Sequence, residues 1–297
     1  MENTIMKKMT GIFLALLFSV TLAACGAKAP AGEDVKEETK TEDMNDGKMA
    51  EEKKDDKSNE KTDLNVFAAA SMTESLEDLK EVFEDENPGI NLVFNFDSSG
   101  TLKTQISEGA ACDVFISAAQ KQMDALDPNS DTKDSEITID PASRFDLLEN
   151  EVTLAMKEDS DKDITSFDDI KTDKVETIAL GNADVPVGQY SESLLKNMGI
   201  WDMIQDKISF GSNVKEVTSW VTEGAVDCGI IYSTDAKAAG LKIVDTADPD
   251  MLDKKVIYPA AFIENSPNRE ASEKFLEFLK TDKVREVFTK YGFKPAS

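Results

Sequence analysis

From Asp63 onward the chain alternates short apolar runs with amphipathic stretches of helical period, and no other feature restricts its fold as much. "LNVFAAA" reads as a buried strand, and "TESLEDLKEVFEDENPG" then sets Leu76, Leu79, Val82 and Phe83 on one helical face before stopping at Pro88-Gly89. "INLVFNF" is the next strand, "TLKTQISEG" the next helix, "CDVFISA" the third strand, and "KQMDAL" opens another helix. Strands that alternate with helices in this way imply a parallel, doubly wound sheet.

The polar stretch Asp127–Ser143 reads as a loop, and a second series follows it: "EVTLAM", "ETIALG", the helix "GQYSESLLKNMG", then "SFGSNVKEVTSWVTEG" and "CGIIYS". The chain ends in "VIYPAAFI" and the helical "REASEKFLEFLKTDKVREVFTKYG". Two α/β series predict two lobes. The expected division is 63–149 with 246–297 in one and 150–245 in the other, the chain returning to the first lobe near its end.

The N-terminus reads differently. Lys7 and Lys8 precede an apolar run from Gly11 to Ala24 that is too short to cross a membrane comfortably, so residues 1–24 read as a secretory signal. Leu22-Ala23-Ala24-Cys25 resembles a bacterial lipobox, which implies cleavage before Cys25, acylation of its thiol and anchoring outside the cytoplasmic membrane. Residues 25–62 then hold almost no large apolar side chain and read as a disordered, charged tether.

Composition excludes several functions. The net charge of -26, with no Lys or Arg cluster, argues against a nucleic-acid partner. The chain has no His, which removes the commonest metal ligand and acid–base catalyst. Cys112 and Cys228 are too few for a disulfide framework and form no Cys-x-x-Cys pair. No cofactor is expected.

In open α/β sheets ligands bind beyond the carboxyl ends of strands, often at helix N-termini. The chain repeats such a corner: Ser71 after the first strand, Ser98-Ser99-Gly100-Thr101 after the second, Ser117-Ala118-Ala119 after the third, Val185-Pro186-Val187-Gly188 before a helix, and Tyr232-Ser233-Thr234-Asp235 after "CGII". None carries Lys or Arg. Each also has a plain structural reading. Ser71-Met72-Thr73-Glu74 matches a capping box, Ser99 and Thr101 are ordinary N-caps, Pro186 suits a first helical turn, and Tyr232 suits a core.

Taken in order, "VFAAASMTESL", "FDSSGTLKTQISEGAACDVFISAAQKQMD", "VPVGQYS", "GIIYSTDA" and "FTKYGF" resemble the molybdate-binding components of bacterial ABC importers, from about Leu64 to Phe293. The resemblance implies a type II periplasmic-binding-protein fold, with two doubly wound α/β lobes, a hinge and an oxyanion in the cleft. It implies ligand contacts from Ser71, Ser99, Ala118, Val185 and Tyr232: hydroxyls from the serines and the tyrosine, backbone N–H from Ala118 and Val185. These touch the oxygens of the anion and do not ligate its metal. Asp97, beside the serine pair, is expected to point away.

The function this implies is capture of molybdate, and of tungstate, by a lipid-anchored monomer outside the cell membrane, for delivery to an ABC permease dimer. The same fold tuned to sulfate or another tetrahedral oxyanion is the nearest alternative. A serine hydrolase is a weaker one, because no His or Ser-x-x-Lys dyad activates either serine. A surface adhesin would leave the repeated corners as mere caps.

Overall fold

The computed structural model describes residues 61–296; the expected signal segment, Cys25 and the tether up to residue 60 lie outside the described residues. Thr62, placed above at the end of the tether, instead opens the first strand.

The first lobe begins β1 (Thr62–Ala69), α1 (Thr73–Glu86), β2 (Ile90–Asp97), α2 (Ser99–Ser107), β3 (Val114–Ile116), α3 (Gln120–Asp124) and β4 (Phe145–Glu149). The chain then crosses into β5 (Val152–Met156), β6 (Ile178–Gly181), α4 (Pro186–Asn197), β7 (Ile208–Gly211), α5 (Val214–Glu223), β8 (Cys228–Tyr232), α6 (Ser233–Ala238) and β9 (Lys242–Thr246). It finishes with β10 (Ile257–Phe262), α7 (Arg269–Leu279), α8 (Asp282–Tyr291) and β11 (Lys294–Pro295). One sheet has the order β11-β4-β10-β3-β1-β2, the other β7-β6-β8-β5-β9.

The sheets are mixed rather than wholly parallel. β1 runs parallel to β2 and β3, and β6 to β7 and β8. β10 is antiparallel to both β3 and β4, and β5 to both β8 and β9. A parallel neighbour needs a long crossover, usually a helix. Here the chain passes between the sheets without an α-helix: through Asn150 and Glu151, and again between β9 and β10, where only a 3-10 turn, Pro249–Met251, intervenes. β5 and β10, the strands entered by those passages, run against their neighbours, whereas β4 and β9, the strands left behind, keep the sense of the parallel strands.

The first sheet is covered on both faces, as alternation along β1 requires. Leu64, Val66 and Ala68 pack in one cluster with Leu76, Leu79 and Phe83 of α1 and with α7 and α8. Phe67 joins Leu102, Ile106, Phe115 and Met123 on the opposite face. Phe83 sits edge-on to Phe275 and Phe278, centroids 5.2 Å apart in each case. These layers fix the carboxyl ends of β1, β2 and β3, where the first lobe's corners lie.

No helix among the described residues is long and apolar enough to cross a membrane. Cys112 and Cys228 are free and buried, and burial pushes both thiols well up.

Candidate functional site

β1 gives way to a single 3-10 turn, Ala70–Met72, which carries Ser71 into the interior. The capping box predicted there does not form. Met72 occupies the N-cap of α1 without a side-chain cap bond. Ser71 Oγ lies instead 2.9 Å from the Tyr258 hydroxyl, and Glu74 pairs with Lys215 at 2.7 Å. The Ser71 hydroxyl is therefore free of helix duty.

At the next corner Ser98, not Ser99 or Thr101, caps α2, its Oγ accepting from Thr101 N–H at 3.2 Å. Ser99 becomes the first residue of the helix, fully buried, and its Oγ accepts from the Ala118 N–H at 2.9 Å. Tyr232 ends β8 in the second lobe, and its hydroxyl reaches toward the Ala118 carbonyl at 3.5 Å.

Ser71, Ser99, Ala118, Val185 and Tyr232 line one small cavity between the lobes, with about 10 Å³ of room for the centre of a water-sized sphere. Both of the expected backbone donors are already engaged. The Val185 N–H donates to Asn182 O at 3.0 Å, and the Ala118 N–H serves Ser99. Val187 and Val214 line the same cavity, at the second position of α4 and the first of α5. First-turn N–H groups have no acceptor within their own helix, so these are the second lobe's open backbone donors.

Val187 stands in the expected corner, two residues beyond the expected Val185, and Val214 lies outside all five corners. A local signal exists for the latter: Asn213 caps α5 by accepting from Glu216 N–H at 3.0 Å, and Glu216 reaches back to the Ser212 N–H at 2.6 Å. That asparagine–glutamate pair marks a helix start and thus a set of free donors.

No Lys or Arg lines the cavity. Asp97 does, and its Oδ1 accepts from Ser98 N–H at 2.7 Å and from Asn213 Nδ2 of the other lobe at 3.3 Å. Burial pushes the Tyr232 and Tyr258 phenols far up, so both keep their protons at any ordinary pH. A larger hollow of about 540 Å³ lies between Glu86–Ile90 and Pro267–Lys274, but it sits at the amino ends of β1 and β2, away from all the corners. No cluster of three or more His, Cys, Asp or Glu able to hold a metal ion occurs among the described residues.

The lobes touch around the cavity. Gly100 N–H donates to Asp184 O at 3.1 Å, and Lys215 of α5 meets Glu74 of α1. What the arrangement offers is a buried ring of neutral hydroxyl and helix-end donors contributed by two bodies joined at a hinge, with the Asp97 carboxylate, expected to point away, among its lining.

Residues 64–294 match the bacterial extracellular solute-binding protein family, and the chain belongs to it, with the type II periplasmic-binding-protein fold. Within it, the chain is 37% identical to the molybdate-binding protein ModA of Escherichia coli, over 77% of this chain and 88% of that one. It is 35% identical to YvgL of Bacillus subtilis, assigned as an ABC transporter substrate-binding lipoprotein, over 80% and 88%. The solved molybdate-binding protein of Azotobacter vinelandii shares the fold, with a TM-score of 0.68 at 22% identity, over 79% of this chain and all of that one.

Proposed function

We propose that the protein captures molybdate, with tungstate as a second ligand, in the cleft between its lobes and hands it to the permease dimer of an ABC importer. The observation that carries this reading is the convergence of the first turns of α2, α4 and α5 with three buried hydroxyls on one cavity free of Lys and Arg. A desolvated tetrahedral dianion needs many short donors around it, and helix N-termini add favourable fields of about 0.3–1 kcal/mol each. Neutral donors also permit release, because opening the cleft rehydrates the anion with no opposing full charge to hold it.

In this reading Ser71, Ser99 and Tyr232 contribute hydroxyl donors, and Val187 and Val214 contribute N–H groups. Ala118 and Val185 shape the wall. The lobes are 62–149 with 247–297, and 150–246, turning about the two passages between the sheets. Residues 1–24 act as a signal, Cys25 carries lipid, and the rest up to residue 61 tethers a monomer to the outer face of the cell membrane. The protein binds and releases without catalysis.

Thermal unfolding with molybdate, tungstate, sulfate and phosphate tests the proposal. A ligand at a hundred times its dissociation constant stabilises the folded state by about 2.7 kcal/mol. Molybdate and tungstate alone are expected to raise the melting temperature. A shift with sulfate alone would favour the sulfate-tuned reading, for which the sulfate-binding protein SubI of Mycobacterium tuberculosis, with a TM-score of 0.66 at 15% identity, supplies a precedent on the same fold. No shift with any of the four sinks both.

Ser99→Ala removes one hydroxyl donor and leaves α2 capped by Ser98. Calorimetry is expected to show molybdate binding weakened about tenfold, the loss of one hydrogen bond to a charged group. The melting temperature without ligand should also fall by a few degrees, because the buried Ala118 N–H loses its acceptor. Unaltered affinity would remove Ser99 from the site.

A further inference from the structure

One residue beyond Val214, a lysine stands between carboxylates of the two lobes. Lys215 lies in the first turn of α5, in the second lobe. Its ammonium meets Glu74 of α1 in the first lobe at 2.7 Å, and Asp235 of α6 in its own lobe at 3.2 Å. The two acids are placed differently. Glu74 is exposed, whereas the Asp235 side chain is fully buried and neither of its oxygens has a well-aligned hydrogen-bond donor. All three charges line one hollow with Glu223 of α5, which accepts from the Ser219 hydroxyl at 2.8 Å. The Tyr232 and Tyr258 phenols, in β8 and β10, feel the Asp235 charge and stay protonated. Lys237, also on α6, lies against Gly292 instead. On the far side of Glu74, Asp78 of α1 accepts from the Tyr291 hydroxyl of α8 and stands 3.9 Å from Lys290.

We propose that closure of the cleft is coupled to proton uptake by Asp235, through the Lys215 that Glu74 comes to share, so that the protein holds its anion more tightly in mildly acid than in neutral solution. The inference rests on the oxyanion reading above and adds a regulation to it. α5 and α6 belong to one lobe, so Lys215 and Asp235 stay together when the cleft opens, while α1 carries Glu74 away. In the open form Asp235 has the ammonium to itself, which favours the carboxylate. Closure brings a second carboxylate to the same ammonium, and that like charge favours the neutral acid. In the closed form burial, offset in part by Lys215 and reinforced by Glu74, holds the Asp235 carboxyl at about 6. A proton bound more tightly in the closed form favours closure. Its contribution is full below the open-form pKa and is lost as the pH rises through about 6.

The test uses the full chain, with molybdate as the probe. Calorimetry at pH 5.5 in two buffers of different ionisation heat reads the protons taken up, and about half a proton per bound molybdate is expected. Affinity is expected to be about three- to tenfold higher at pH 5 than at pH 7.5. Asp235→Asn holds the site in its neutral form. It should take up no proton, and at pH 7.5 it should bind molybdate more tightly than the wild type, by about the same factor. Structural damage would weaken binding instead. Glu74→Gln, at an exposed position, removes the charge that closure brings to Lys215 and should reduce the uptake.

Molybdate binding without proton uptake overturns the inference. So does an uptake that persists in Asp235→Asn, which would assign the proton to another group, such as Asp97 at the cavity. If Asp235→Asn does not fold, Glu74→Gln decides the matter, and an uptake equal to that of the wild type overturns the inference. A wild-type protein that binds no oxyanion at any pH would overturn the oxyanion reading instead, and the two failures are distinct.

Discussion

Gly100→Ala is expected to weaken molybdate binding by about 10- to 100-fold while leaving the ligand-free protein as stable as before, or slightly more so. Gly100 lies in the first turn of α2, and its N–H donates to the Asp184 carbonyl of the second lobe at 3.1 Å. A Cβ at this position would overlap the Asp184 carbonyl oxygen and stand 2.9 Å from both its carbonyl carbon and its Cα. Both partners are backbone, so neither can swing aside as a side chain would. The lobes must part, and overpacking of this kind costs about 1–3 kcal/mol or more. Affinity for a ligand held only by the closed form falls by the same free energy, about tenfold per 1.4 kcal/mol. With the lobes apart the clash disappears, and alanine is the better helix residue by about 1 kcal/mol. Calorimetry with molybdate and a ligand-free melt separate the two effects. Wild-type affinity would mean that closure at Gly100 is no part of binding. A large fall in the ligand-free melting temperature would mean that the contact holds the fold rather than the ligand.

How much of this was legible in the sequence varies by element. β1, β2, β3, β6 and β8 announce themselves because each is a short apolar run bounded by turn residues and followed by a helix of clear period. β4, β9 and β11 went unread. "FDLLE" and "KIVDT" mix charges with few apolar residues, and a two-residue strand has no period at all. Their place is decided by neighbours distant in sequence, and so is their antiparallel sense.

The site shows the same boundary at finer scale. All five residues expected there line one cavity, because a strand's carboxyl end is a position that chain order can locate. Which N–H within a corner remains open is not. The Val185 N–H folds back to Asn182, which leaves the Val187 N–H as the open one of that corner. Tyr258 read as one more apolar position of "VIYPAAFI"; only the packing of β10 against β3 and β4 brings its hydroxyl to Ser71. The capping box failed for a related reason. Ser71 and Glu74 each have a stronger partner in three dimensions than they have in each other, and a four-residue pattern cannot weigh distant partners.

Glu74's partner leads to the second large effect. Lys215 joins the lobes by binding Glu74 at 2.7 Å, and it also stands 3.2 Å from Oδ1 of Asp235, whose side chain is fully buried. Neither Asp235 oxygen has a well-aligned hydrogen-bond donor. Burial, offset in part by Lys215 and reinforced by Glu74, raises the Asp235 carboxyl to about 6. Lys215→Met keeps the aliphatic stem and deletes the ammonium, leaving Asp235 as a buried carboxylate without a counter-charge. A carboxyl already raised to about 6 takes up a proton when its counter-charge is removed, so the cost at pH 7 is capped at about 1.4 kcal/mol, that of neutralising it one unit above its folded pKa. At pH 7 the variant is expected to lose about 1.4 kcal/mol through Asp235, roughly 3–6 °C in melting temperature. The sign with pH follows from linkage. An acid whose folded pKa is raised binds its proton in the native state at pH values where the unfolded chain, with a carboxyl near 4, has released it. Its penalty is therefore full at neutral pH and fades as pH falls through the folded pKa toward 4. With Lys215 gone that pKa moves higher still, so the loss in Lys215→Met should shrink between pH 7 and pH 5. Asp235→Asn in the same background should restore most of it at pH 7, while Glu74, 44% exposed, is left to water. A loss that is the same at pH 5 and pH 7, and that Asp235→Asn does not relieve, would place the lysine's contribution in its stem and its bond to Glu74 rather than in the charge it holds against Asp235.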